Sequence, residues 1–259
     1  MKIALVDSGL GLLAAAAAVR RMRPDADLVL SCDPDGMPWG LRTVQDVGER
    51  ALRCALAAAE RGPDVLIVAC NTASVHALAA VRAALEPALP VVGTVPAIKP
   101  AAAGGGAVAI WATPATTCSA YQRGLIAEFG GGAEITEVPC PGLAEAVQAG
   151  DSAAVDAAVA AAAALTPMGV RALVLGCTHY ELLTDRIAAA VPGAALFCSA
   201  DAVAAQALRR IGAAPGPADA VSAGTGGLEV LLSGRAAGLP AVASVYAEGA
   251  ALAVTPATA

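Results

Sequence analysis

The sequence predicts an α/β protein whose mainly parallel sheets are flanked by helices. Three observations predict it. Short runs rich in β-branched residues alternate with long Ala/Leu/Arg segments. Most of the intervening segments run to about ten residues or more, long enough for the helical crossover that joins parallel strands. The strands read as unbroken apolar stretches of about four residues, the pattern of strands covered on both faces.

In order, Ile3–Val6 reads as a strand and Leu10–Met22 as a helix. Leu28–Ser31 is a strand and Val44–Arg61 a long helix. Val65–Ala69 is a strand, Ser74–Leu85 a helix, and Val91–Val92 a short strand after Pro90. Ala107–Trp111 is the next strand, followed by a helix near Thr116–Phe129 and a strand at Ile135–Val138. Helices follow at Leu143–Ala149 and Ser152–Leu165. Val170–Leu175 is a strand, Glu181–Ala190 a helix, Ala195–Phe197 a strand and Ala202–Ile211 a helix. The Pro/Gly-rich stretch from Pro96 to Gly106 is the best internal boundary. A second runs from Gly212 to Pro217. The Gly-rich tail beyond carries weak strand signals and ends in Thr255–Ala259, expected to fray.

Composition narrows the function. The 259 residues are 57% hydrophobic and 15% charged, ample apolar material for a core. Two Trp, three Tyr and two Phe offer little for base stacking, and a net charge of -6 disfavours a phosphate backbone, so no nucleic-acid partner is expected. Mean hydropathy is +0.66, which invites a membrane reading. The longest uncharged stretch, Pro100 to Gln122, is broken by Gly104, Gly105, Gly106 and Pro114, so no membrane span is expected. Met1–Asp7 lacks the long apolar core and cleavage site of a signal peptide, and a cytoplasmic location is expected.

The seven cysteines are widely spaced and odd in number, which points to reduced thiols. With no Cys-x-x-Cys pair and only His76 and His179, no metal site is expected. The only lysines are Lys2 and Lys99, and no motif supports Lys99 as a Schiff-base residue.

A faint internal repeat is more informative. Val65-Leu-Ile-Val-Ala-Cys70-Asn-Thr-Ala-Ser resembles Ala172-Leu-Val-Leu-Gly-Cys177-Thr-His-Tyr-Glu. Each is a buried strand that ends in a cysteine and runs into a polar helix start. Ligands of open α/β sheets bind at such strand ends. A thiol before a helix N-terminus has a stabilised thiolate. Thr178 and Glu181 have capping-box spacing, and Asn71, Thr72 and Ser74 are cap candidates beside Cys70. Both cysteines also fit a plainer role as small apolar strand ends. A thiolate and a thiol on opposite faces of one carbon form a two-base pair, in which one removes a proton and the other returns one. Without a cofactor, the carbanion must be stabilised by fixed donors and exclusion of water.

At these motifs the chain resembles the cofactor-independent aspartate/glutamate racemase superfamily, and within it the glutamate racemases. The matching pieces are Val6-Asp-Ser-Gly9, Pro38-Trp-Gly40, Ala69-Cys-Asn-Thr-Ala-Ser74, Val92–Ala101, Ala112-Thr113 with Thr116 and Ser119-Ala-Tyr121, Cys140-Pro-Gly-Leu143, and Leu175-Gly-Cys-Thr-His-Tyr180. They stand in family order over roughly residues 3 to 211.

The resemblance implies two similar α/β domains, residues 1–97 with 207–259 and residues 98–206, with the active site in the cleft between them. It implies a cofactor-independent isomerase that interconverts L- and D-glutamate and supplies D-glutamate for peptidoglycan precursors. Cys70 would act on the D-enantiomer and Cys177 on the L-enantiomer, assisted by Asp7 and His179 respectively. Ser8, Asn71, Thr72, Thr113, Thr116 and Thr178 would hold the small amino-acid substrate, with Pro38, Trp39 and Gly40. The resemblance also implies a homodimer. Plainer roles stay open: Asp7 to Gly9 as a βα turn, Thr113 and Thr116 as helix caps, His179 as a polar neighbour of the capping box.

The chain departs from the family in three places. Trp39 stands where tyrosine is usual, only Asp33 is kept from the usual pattern in Cys32–Met37, and Gln148 replaces a common auxiliary acid, with Glu145 nearby. Two alternatives remain: a racemase or isomerase of aspartate, hydantoin or a related small acid, and a non-catalytic binding protein. A cysteine hydrolase would leave one cysteine without a role.

Overall fold

A computed structural model describes residues 1–117, 119–214 and 226–253. The thiol of Cys118, the Pro215–Pro217 part of the second Pro/Gly stretch and the Thr255–Ala259 end lie outside the described residues.

The chain begins β1 (Lys2–Asp7), α1 (Leu12–Met22), β2 (Asp27–Cys32), α2 (Val44–Ala59), β3 (Val65–Val68), α3 (Asn71–His76), α4 (Leu78–Leu85) and β4 (Val91–Gly93). It continues α5 (Ile98–Ala103), β5 (Ala107–Ala112), α6 (Ala120–Phe129), β6 (Glu134–Pro139), α7 (Leu143–Ala149), α8 (Ser152–Leu165), β7 (Ala172–Leu175), α9 (Thr184–Ala190) and β8 (Ala195–Phe197). The last described elements are α10 (Ala200–Arg210), β9 (Leu228–Leu232), β10 (Arg235–Ala237) and α11 (Ala247–Ala253). Two compact units result, Met1–Thr94 with Ala200–Ala259, and Val95–Ser199.

The first unit holds a six-stranded sheet in the order β10-β9-β2-β1-β3-β4, parallel except for β10. Every residue of β3 is buried, as its unbroken Val-Leu-Ile-Val run predicts. Ala4, Val6, Leu66 and Val68 share a core with Val47, Ala51, Ala55 and Ala58 of α2. Alternation along the strand sends Ile3, Leu5 and Ile67 to the other face. The connection from β1 to β2 runs one way, and that from β2 to β3 crosses back over β1. The strand order therefore reverses between β1 and β3, and the carboxyl ends of those two strands are where open α/β sheets bind ligands.

The second unit repeats this plan with a four-stranded, all-parallel sheet in the order β6-β5-β7-β8. Its reversal lies between β5 and β7. Val108, Ile110, Ala172 and Val174 pack with Ile98 and Ala101 of α5 on one face. No helix among the described residues is long and apolar enough to cross a membrane.

Several elements differ from expectation. The single helix expected over Ser74–Leu85 is two, α3 and α4, with a break at Ala77 (φ -121°, ψ -18°). The helix expected near Thr116 starts at Ala120, because Ser119 caps it by accepting from the Gln122 N–H at 3.1 Å. Thr113 and Thr116 are therefore not its caps. The helix expected over Glu181–Ala190 is a 3-10 turn, Thr178–Leu183, followed by α9. The stretch read as an internal boundary contains α5. The weak strand signals of the tail, by contrast, correspond to real strands, with β9 paired in parallel with β2.

Candidate active site

In the first unit, Asp7 is the last residue of β1, and Val6 is in register with Val68 of β3. The Ala69 N–H extends this pairing by donating to Val6 O at 2.8 Å, which sets Cys70 beside the end of β1. Asp7 is fully buried. Its Oδ1 accepts from the backbone N–H of Ser8 and from Ser8 Oγ at 3.1 Å. Asp7 and Ser8 thus form a tight βα turn and also stand at the reversal point, so the plain reading and the functional one coincide in place.

Cys70 is buried with extended backbone (φ -140°, ψ 123°) and precedes α3 directly. Asn71 is buried and Thr72 half-buried in the first turn. No side chain caps α3. The Ser74 hydroxyl instead donates to Val68 O at 3.2 Å and accepts from the Thr94 N–H at 3.0 Å, joining the cysteine turn to β4. With only six residues in α3, the field at Cys70 comes from first-turn amides rather than from a long helix.

Pro38 precedes the turn Trp39–Leu41, which contains Gly40, and this turn packs on α3. The Trp39 ring is buried in the core with Val47, Ala51 and Ala73. Its Nε1 donates to Asp33 Oδ2 at 3.0 Å. The larger ring at this position is thus accommodated in the core.

In the second unit, Cys177 follows β7, whose end lies beside β5. Gly176 donates its N–H to Trp111 O at 2.7 Å. A Cβ on Gly176 would come within 2.9 Å of that oxygen and 3.2 Å of Ala112 Cβ, which explains glycine before this cysteine. Cys177 is half-buried with extended backbone. Thr113 follows β5, and its hydroxyl lies 3.1 Å from that of Thr116. Thr178 and His179 are buried.

His179 Nδ1 lies 3.9 Å from Cys177 Sγ, and its Nε2 lies 3.3 Å from Gln148 Oε1 on α7. An amide oxygen only accepts, so the tautomer that makes this bond carries its proton on Nε2. In the neutral ring Nδ1 then offers its lone pair to the thiol, and the imidazole can take the thiol proton. Gln148 thus joins the site as an acceptor without charge. Glu145 is exposed on α7, and it is Gln148 that meets His179.

Thr178 and Glu181, the expected capping-box pair, lie in the 3-10 turn Thr178–Leu183. Glu181 is buried and its Oε1 accepts from Ser199 N–H at 2.8 Å and Ser199 Oγ at 2.6 Å.

The other thiols sort by burial. Desolvation pushes Cys54 and Cys140 up to about 12 and Cys32 well above the usual thiol range. Such thiols are protonated and inert near neutrality. Among the described residues, no cluster of His, Cys, Asp or Glu has the makings of a metal site.

Each unit is therefore a doubly wound α/β layer that carries a cysteine at its reversal point, among hydroxyl, amide and acid–base groups. That defines an α/β protein with a thiol at the ligand-binding end of each parallel sheet. Residues 11–207 match the Asp/Glu/Hydantoin racemase family. A glutamate racemase of Pseudomonas putida is 37% identical over 84% of this chain and 86% of its own length. One from Roseiflexus is 36% identical over 81% of this chain and 78% of its own. The crystal structure of Escherichia coli glutamate racemase, in complex with L-glutamate and the activator UDP-MurNAc-ala, has a TM-score of 0.79 at 28% identity, covering 94% of this chain and 91% of that one. The chain belongs to the Asp/Glu/hydantoin racemase family, and it is a racemase.

Proposed function

We propose that this racemase interconverts L- and D-glutamate by two-base proton transfer between Cys70 and Cys177, without a cofactor. The observation that carries the reading is the duplicated placement of a thiol at the reversal point of each sheet. The names of the relatives supply the substrate. In this reading, Cys177 as thiolate takes the α-proton of the L-enantiomer, and Cys70 as thiol returns a proton to the opposite face. The D-enantiomer reverses the roles. His179 accepts the Cys177 proton through Nδ1, and Asp7 serves Cys70. Ser8, Asn71, Thr72, Thr113, Thr116 and Thr178, with the backbone around Pro38 and Gly40, hold the carboxylates and the ammonium. Fixed donors stabilise the carbanionic transition state, where charge develops on the substrate carboxylate.

The reading extends to a cytoplasmic enzyme, a homodimer of two domains (residues 1–97 with 207–259, and 98–206), that supplies D-glutamate to peptidoglycan precursors. The test is incubation with L-glutamate in deuterium oxide, following optical rotation and α-deuteration together. Loss of rotation with α-deuteration is expected in the intact protein, and loss of rotation in neither Cys70→Ala nor Cys177→Ala. Folded protein that leaves glutamate unchanged overturns the substrate assignment.

A further inference from the structure

Asp33 has no part in the proton transfers described above, yet its surroundings are built around its carboxylate. It lies just past β2 and is 4% exposed. Oδ2 accepts from Trp39 Nε1 at 3.0 Å and from Arg50 Nη1 at 3.2 Å. Oδ1 accepts from Ser233 Oγ at 2.9 Å. The Asp33 carbonyl also accepts from Gly36 N–H at 3.0 Å and Met37 N–H at 2.9 Å. A Cβ on Gly36 would fall 2.0 Å from Asp33 Oδ2 and 2.3 Å from Arg50 Nη1, so only glycine leaves room for this ion pair. Arg42 donates to Gly36 O and, with Arg50, grips Asp46, at 2.7 and 2.9 Å.

Ser233 is the third support. It joins β9 to β10 in a two-residue turn with Gly234, at φ 47° and 79°. Ser233 is the one non-glycine residue with positive φ among the described residues. Such turns favour Asn, Asp or Gly at this position. Serine has a reason to stand there, because its hydroxyl reaches Asp33 Oδ1 and also accepts from Asp35 N–H at 3.3 Å. The turn is some 200 residues away in sequence, and its pairing with β2 brings it there.

We propose that Asp33 and Ser233 are positioning residues for substrate binding. Held by Arg50 and Ser233, the Asp33 carboxylate fixes the Trp39 indole, and the indole fixes the Pro38–Gly40 backbone against α3, the helix that follows Cys70. This rests on the reading that the Pro38–Gly40 backbone holds the substrate. It gives the late hairpin β9–β10 a role in a site formed by early residues.

The test uses Ser233→Gly, Asp33→Asn and Trp39→Phe in the full chain. Ser233→Gly relieves the positive-φ turn but removes the side chain that donates to Asp33, two opposing effects, so thermal stability is expected to change little. If the turn were merely structural, kinetics would be unchanged. A positioning role predicts that KM for glutamate rises about tenfold, with kcat changed less, in Ser233→Gly and Asp33→Asn. Ser233→Gly added to Trp39→Phe is expected to cost little more than Trp39→Phe alone, because both cut the same chain of contacts. Folded Ser233→Gly and Asp33→Asn with unchanged KM overturn the proposal.

Trp39 fluorescence in a Trp111→Phe background gives a second readout that needs no turnover. Asp33→Asn and Ser233→Gly are expected to shift its emission, and an unshifted emission in both overturns the proposal. If the parent protein turns over no glutamate, the substrate assignment fails and this spectroscopic arm alone decides the positioning role.

Discussion

Two of the buried, inert thiols make a quantitative prediction about alkaline stability. Cys54 lies in the first unit and Cys140 in the second, and both are buried. Burial raises each from 9.0 to about 12. A raised thiol pKa means that the unfolded chain loses its proton first. Each thiol's contribution is therefore fully present below pH 9 and is lost as pH rises toward 12. At pH 10.5 the unfolded thiol has gained about 1.5 units of ionisation free energy that the folded one has not. At about 1.4 kcal/mol per unit, that is roughly 2 kcal/mol per thiol. Urea unfolding followed by circular dichroism at pH 8 and pH 10.5 measures the loss. Cys54→Ala lowers stability somewhat at both pH values through the vacated volume. The difference between the two pH values is expected to shrink by about 2 kcal/mol in the variant. Cys140→Ala is expected to do the same for the unit that holds it. An unchanged pH difference in Cys54→Ala would refute the assignment of this thiol as buried and neutral.

Two further substitutions test the second unit. Gln148→Ala removes the acceptor that orients His179, and kcat is expected to fall about tenfold with the circular dichroism spectrum unchanged. An unaffected kcat would show that the imidazole needs no such support. Gly176→Ala drives a methyl group against Trp111 O, with an expected cost of about 1–3 kcal/mol in urea unfolding and a loss of activity exceeding that of a surface Gly→Ala control.

The parallel α/β plan was legible because buried strands such as Val65–Val68 are continuous apolar runs, and a pattern of that kind survives any tertiary arrangement. The placement of both cysteines at strand ends followed from the same runs. What was not legible depended on contacts distant in sequence. Glu181 is spaced for a local capping box, and its carboxylate also accepts from Ser199, which no local pattern announces. Ser74 is a good cap type, yet its hydroxyl ties β3 to β4. Gln148 was visible as a departure, but its contact with His179 depends on α7 packing beside the Cys177 turn. Ser233 gave no signal, since its role exists only once β9 pairs with β2. Local chemistry set the candidates, and sheet topology chose among their partners.

The surroundings of the two thiols differ in kind, and this yields a prediction that their asymmetry cannot evade. Beside Cys70 stands the carboxylate of Asp7, held by Ser8; beside Cys177 stand an imidazole and a neutral amide. In the proposed two-thiol scheme the two directions of racemization start from differently supported bases, and kcat and KM are expected to differ between L- and D-glutamate. Their ratios cannot. Mirror-image substrates have equal free energy in water, so the equilibrium constant is unity and kcat/KM must be equal in the two directions. Asp7→Asn or Gln148→Ala alters support on one side only, yet either must lower kcat/KM by the same factor both ways. The assay is circular dichroism of each pure enantiomer, with initial rates over a range of concentrations. Unequal kcat/KM in the intact protein would mean that the signal follows some reaction other than simple racemization, such as elimination of a group, and the two-thiol scheme would then have to be abandoned for glutamate.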